Sequence, residues 1–117
     1  MEVKKTKEQI GSLSISTNVV EKIAKLSALE IDGVAEISTG TTGVKGVFAK
    51  TNLPKAVDVT ITDGVAEIDI HLVMKYGFKV PYVCKNVQEA VKTNVQNMTE
   101  VAVSKVNIIV TGVQAEN

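Results

Sequence analysis

The residues that could do chemistry sit in four places in this chain: one histidine, one cysteine, a set of carboxylates on two alternating segments, and a glycine-rich stretch with lysines. His71 follows Glu67 and Asp69 at a spacing of two. On a strand the three side chains share one face, opposite Ile68, Ile70 and Leu72. A metal site would need further nitrogen or sulfur ligands, so a lone histidine on a polar sheet face reads as structural. Cys84 falls on an apolar helical stripe, where a thiol behaves as a small hydrophobe. A nucleophile would need a neighbouring base and a lowered pKa, and no histidine lies near it in sequence.

The carboxylates are placed by a hairpin. Two alternating segments, Val57–Thr62 and Val65–Met74, flank Asp63-Gly64. That dipeptide favours a type I′ turn, which needs positive φ at both residues. Counting outward from the turn, Thr62 pairs with Val65, Val59 with Ile68 and Val57 with Ile70 on the core side. On the other side Thr60 faces Glu67, and Asp58 faces Asp69. Like charges directly opposed cost a few tenths to about 1 kcal/mol. Such a pair is either simply solvated or an acidic patch that receives a basic partner, or Lys105 from the last strand. Without a pocket or a water-positioning group it does not make a hydrolase.

The stretch from 39 to 55 reads TGTTGVKGVFAKTNLPK. It lacks the Lys-Ser/Thr ending of a phosphate loop. Gly43-Val44-Lys45-Gly46 matches the short GxxG of KH-type RNA-binding modules. In those modules the loop joins two helices, whereas here it follows a strand. Val44, Val47 and Phe48 would be exposed apolar groups unless something covers them, which suits an interaction loop.

Two helices and a sheet must position these groups. Ser16 to Asn18 supplies N-cap residues, with Asn18 and Glu21 as a capping pair. Val19, Val20, Ile23, Ala24, Ser27 and Ile31 then fall at helical spacing. Asp32-Gly33 ends this helix, because glycine accepts the left-handed conformation there. A short strand precedes it at Ser12–Ile15, and another follows at Val34–Ser38. Pro81 suits the first turn of a second helix, whose stripe is Val83, Cys84, Val87, Ala90, Val91, Val95 and Met98. Burying Val83, Val87, Val91, Val95 and Met98 contributes roughly 7–15 kcal/mol before entropy. A last strand runs from Val103 to Thr111. The hexapeptide DGVAEI occurs at Asp32–Ile37 and at Asp63–Ile68. Its flanks do not match, so it reads as convergent turn-into-strand chemistry.

Composition limits the function classes. Hydrophobic residues make up 44% and aromatics 3%, so the core must be aliphatic. Thirteen basic residues balance thirteen acidic ones, so no global field draws in nucleic acid or an anionic membrane. No DNA partner is expected, and RNA is disfavoured. One cysteine excludes an internal disulfide and suits a reducing cytoplasm. No apolar run approaches the ~20 residues that span a bilayer, and the start MEVKKTKEQIG lacks the apolar core of a signal peptide. Direct membrane insertion is not expected.

Several short motifs recur in a fixed order. Gly11-Ser12-Leu13-Ser14-Ile15-Ser16 precedes the Val19–Ile31 helix and the Asp32-Gly33-Val34 exit. The Gly43–Gly46 loop follows, then Tyr76-Gly77, Val80-Pro81, Val87-Gln88-Glu89, Asn97-Met98-Thr99 and Val106-Asn107-Ile108. In this order and spacing the chain resembles the alkaline shock protein family, envelope-stress proteins of Gram-positive bacteria. Glu100 departs from the pattern, since relatives usually carry glycine after Met-Thr. The resemblance implies a non-enzymatic cytoplasmic protein with no cofactor. It implies self-association and a place at the membrane held by a small anchor protein. Some members are connected with fatty-acid synthesis. The family has no catalytic residues to carry over.

The expected fold is α+β and two-layered: two amphipathic helices packed on one face of a mixed sheet, in the order β-α-β-β-β-α-β. A single domain at 11–114 follows an N-terminal tail at 1–10, with a short tail at 115–117. The expected function is a non-catalytic protein-interaction module supporting cell-envelope homeostasis. A regulatory partner of a lipid-synthesis enzyme and a small RNA-binding module remain as other readings. The candidate partner-binding residues are Gly43, Val44, Lys45, Gly46, Val47 and Phe48 in the loop, and Asp58, Glu67 and Asp69 on the sheet.

Overall fold

A computed structural model describes residues 15–39 and 55–115. The elements are α1 (Thr17–Leu29), β1 (Val34–Ile37), β2 (Val57–Thr62), β3 (Val65–Lys75), α2 (Val80–Met98) and β4 (Ala102–Gln114). The strand expected at Ser12–Ile15 and the tail at 1–10 lie outside the described residues, save for Ile15, which is not in a strand. So do residues 116 and 117 of the second tail.

Helix α1 starts at the expected signal. Ser16 is the N-cap, and its side chain accepts the Val19 N–H at 3.4 Å, which satisfies one of the orphan donors of the first turn. Asn18 lies inside the helix instead of capping it. Val20, Ala24, Ser27 and Ala28 are buried. Val19, expected on the core face, is 45% exposed. At 100° per residue it lies well away from the direction that Val20, Ala24 and Ala28 define, so the sheet does not reach it. The helix ends at Leu29, earlier than the Asp32-Gly33 signal suggested. Gly33, with φ of 103°, instead shapes the turn into β1.

The hairpin follows its sequence. Asp63 and Gly64 have φ of 53° and 78°, the two positive values that a type I′ turn requires. Val57 lies opposite Ile70, Asp58 opposite Asp69, Val59 opposite Ile68 and Thr60 opposite Glu67.

Strand β3 is the axis of the sheet. The His71 N–H donates to the Ala56 carbonyl at 2.8 Å, and the His71 carbonyl accepts from the Ser38 N–H at 3.0 Å. Both groups of one residue point the same way in an antiparallel ladder, so β1 and β2 lie end to end along one edge of β3. Strand β4 pairs with the other edge in parallel, from Val65 opposite Ala102 to Lys75 opposite Gln114. The sheet is therefore mixed. A parallel neighbour needs a crossover, and α2 supplies it, with Pro81 in its first turn.

Both helices cover one face of the sheet. Ile68, Ile70, Leu72 and Met74 of β3 meet Val83, Val87, Val91 and Val95 of α2 in a core that also holds Val20, Ala24 and Ala28. Met98, expected on the same stripe, is 69% exposed. It is the last residue of α2, where the chain turns away toward β4. Where α1 meets α2, the Asn94 amide donates to Ser27 Oγ at 2.8 Å, and Ser27 Oγ donates to the Ile23 carbonyl at 2.7 Å. That chain satisfies a hydroxyl in an otherwise apolar layer.

Candidate functional site

The alternation of β2, β3 and β4 sends every second side chain away from the helices. On this outer face one row holds Asp58, Asp69 and Asn107, and the next holds Thr60, Glu67 and Lys105. The three sequence-predicted carboxylates Asp58, Glu67 and Asp69 therefore stand together on neighbouring strands. Asp58 and Glu67 are exposed and Asp69 is half-buried. Asn107 Nδ2 donates to Asp69 Oδ1 at 2.8 Å, a hydrogen bond that offsets part of the repulsion from Asp58 without adding charge. Lys105 lands beside Glu67, not beside the aspartate pair. An extra residue in β4, Ser104, shifts the register between Ala66 and Glu67.

Two ionisable groups border this face. Lys55 Nζ lies 2.7 Å from Glu21 Oε2. The hydrogen bond to Glu21 holds the ammonium above its ordinary pKa, with Asp58 adding a smaller attraction in the same direction. His71 is half-buried, with Nδ1 3.3 Å from the Ala56 carbonyl. It lies at the junction where β1 and β2 meet on β3. Among the described residues no three His, Cys, Asp or Glu gather to hold a metal.

Cys84 is half-buried on α2, less enclosed than the stripe implied. Burial pushes its thiol up, so it stays neutral at physiological pH and lacks the thiolate a nucleophile requires. Gly43, Val44, Lys45, Gly46, Val47 and Phe48 lie outside the described residues. The chain on the near side of that stretch is fixed at Ser38, whose carbonyl accepts from Thr111 Oγ1 at 3.0 Å.

Three further surfaces were not read from the sequence. A groove of about 550 Å³ runs between α1 and the start of β2, with Lys22, Lys25 and Lys55 on its rim and Ile37 and Val57 in its floor. Tyr76, Phe78 and Tyr82 are all exposed at the β3–α2 connection. The outer edge of β4 carries no strand among the described residues. Gln88 Nε2 donates to the Val106 carbonyl, and Gln96 Oε1 accepts the Val103 N–H, each at 2.9 Å. The glutamines at 88 and 96 were visible as polar helix positions, but their bonds to the last strand depend on its register.

No described helix is long and apolar enough to cross a membrane. The model of the alkaline shock protein 23 family, described by a cell envelope-related function, matches residues 5–115. The uncharacterized protein Spy1535 of Streptococcus pyogenes serotype M6 is 38% identical over 112 residues, 95% of this chain and 85% of its own. The uncharacterized protein YqhY of Bacillus subtilis is 37% identical over 106 residues, 90% of this chain and 78% of its own. A stress response regulator gls24 homolog of Streptococcus pyogenes serotype M3 is 25% identical over 108 residues, which span 91% of this chain and 60% of the homolog. No solved structure matches the chain.

Proposed function

The chain belongs to the alkaline shock protein 23 family, whose function is cell envelope-related, and on that premise we propose that it is a non-catalytic interaction module. It supports envelope homeostasis by holding a protein partner on the outer face of its sheet and by associating with itself. It works in the cytoplasm and reaches the membrane only through a partner, such as a small anchor protein.

The observation that carries this reading is the outer face itself. Asp58, Glu67 and Asp69 stand on two neighbouring strands with Lys105 as the cation among them. An acidic surface on a rigid sheet steers a basic partner and fixes its orientation. The non-catalytic reading is supported by Cys84, whose thiol burial pushes up and away from the nucleophilic thiolate.

The test is a tagged pull-down from the native host, run on membrane and cytosolic fractions with nuclease treatment, using wild type and Asp58→Asn. A small membrane protein recovered with wild type and reduced with the variant is the expected result. A partner retained equally by Asp58→Asn would remove the outer face from the reading. Recovery of a soluble lipid-synthesis enzyme alone, or of RNA lost on nuclease treatment, would replace it with the regulatory or the nucleic-acid function.

A further inference from the structure

We propose that the β3–α2 connection, Lys75 to Tyr82, rests on an anionic lipid surface once a partner has brought the chain to the membrane. This builds on the membrane reach in the proposed function and names the part of the fold that touches lipid.

The segment reads Lys-Tyr-Gly-Phe-Lys-Val-Pro-Tyr, and all eight residues are exposed. Three of the chain's four aromatic residues lie here, and none of the three belongs to the buried core. Tyr76 is 64% and Tyr82 66% exposed, with Phe78 and Val80 also open to solvent. A single exposed apolar group is ordinary, but four within seven residues form a patch. The patch sits at one end of the sheet. The Tyr76 N–H donates to the Gln114 carbonyl at the end of β4, and the Phe78 ring lies beside Gly33 in the turn into β1.

The charge of this end suits an anion. Lys75 and Lys79 interleave with the aromatic residues, and Lys85 follows one turn after Tyr82. No carboxylate lies in the segment or in the first turn of α2. The N-cap, Lys79, gives that turn no side-chain hydrogen bond, and a helix start left open in this way favours a phosphate oxygen. Glu30 and Asp32, exposed just before Gly33, offset part of this charge, but the three lysines outnumber them.

A bilayer surface fits this composition without a matching pocket. Tyrosine rings settle between headgroups and acyl chains with their hydroxyls in the polar layer. Lysine stems let the ammonium groups reach lipid phosphates. The acidic rows stay clear of the contact. Asp69 and Glu67 precede Lys75 on β3 by six and eight residues, ~20 and ~26 Å at about 3.3 Å per residue. Both distances exceed the ~8 Å over which exposed charges interact at physiological salt. The outer face can therefore hold its partner while the tip meets lipid. The patch is too small to hold the chain on a membrane alone, because stable attachment takes two signals, and the partner supplies the other.

The experiment uses the full chain held on vesicles by an N-terminal hexahistidine tag and a nickel-chelating lipid, which stands in for the partner. The chain has no tryptophan, so Tyr82→Trp and, on the outer face, Thr60→Trp each introduce a single reporter. The vesicles are phosphatidylglycerol and phosphatidylcholine with a nitroxide-labelled lipid as quencher. Tyr82→Trp emission should shift blue and be quenched, while Thr60→Trp emission should match that of the free chain. Adding Lys75→Gln and Lys79→Gln to the Tyr82→Trp chain should lower the ratio of bound to free loop roughly tenfold or more, at about fivefold per lysine. Tyr82→Trp quenched no more than Thr60→Trp overturns the lipid contact. So does quenching that the two lysine changes leave intact. Tyr82→Trp emission that responds to a uridine oligonucleotide and not to vesicles also overturns it, and would assign the loop to RNA. The nickel tether replaces the partner, so none of these results bears on whether the partner exists.

Discussion

Replacing Gly33 with alanine separates two costs that usually travel together. Gly33 has φ of 103°, and an added Cβ would lie 2.7 Å from Val83 Cγ2 and 3.0 Å from the Phe78 ring. Phe78 is 43% exposed and can swing outward, but Val83 is fully buried and has nowhere to go. The backbone is pinned as well, since the Gly33 carbonyl accepts the Lys75 N–H at 2.8 Å. Strain at positive φ costs about 1–3 kcal/mol, and overpacking Val83 adds about 1–3 kcal/mol. Gly77 supplies the control. Its φ is 98°, and an added Cβ there meets nothing within 4 Å, so Gly77→Ala should pay the strain alone. Urea unfolding of the two variants should therefore differ by about 1–3 kcal/mol, with Gly33→Ala the less stable. In thermal melts the gap is roughly 4–12 °C at about 4 °C per kcal/mol for a chain of this size. Equal losses in the two variants would refute the packing of α2 against the turn into β1.

Three further perturbations probe other joints of the fold. Thr99 Oγ1 donates to the Val95 carbonyl at 2.7 Å and accepts the Val101 N–H at 3.0 Å. Thr99→Ala should cost about 1–3 kcal/mol by orphaning that N–H, and Thr99→Ser should recover most of it in the same urea titration. Cys84 has its thiol raised by burial, so folding favours the neutral form. Its contribution is complete below the unfolded thiol pKa and fades as pH rises through the folded value. Stability above the ordinary thiol range should thus fall more steeply in wild type than in Cys84→Ala, and iodoacetamide should label the folded thiol more slowly than a free cysteine. Val91 is fully buried on α2, and Val91→Asp should abolish the cooperative melt through an unpaired buried carboxylate.

What the sequence made legible was local or periodic. The hairpin followed from one dipeptide, because few residues other than Asp and Gly tolerate two successive positive φ values, and its register then placed Asp58 against Asp69. Ser16 and Pro81 marked their helices through backbone groups within one turn. The misses occur where layers meet. Val19 lies off the direction that Val20, Ala24 and Ala28 define, and Met98 lies at the very end of α2; loose helical spacing fixes neither the exact centre of a stripe nor how far a sheet extends beneath a helix. The position of Lys105 beside Glu67 depends on the Ser104 bulge, and nothing in the chain's alternation requires that bulge. Parallel pairing of β3 with β4 is set by the span of α2, so Asn107 could not be assigned to Asp69 by counting from a turn.

The acidic rows of Asp58, Asp69 and Glu67 lie on the outer face of the sheet, away from the helix layer. Asp58→Asn removes one of two directly opposed carboxylates. It should therefore weaken capture of a basic partner while leaving stability unchanged or raised by a few tenths to about 1 kcal/mol. If Asp58→Asn destabilised the fold as strongly as it weakened capture, the lost binding would report on the fold and not on the face, and the acidic rows would have no part in recognition.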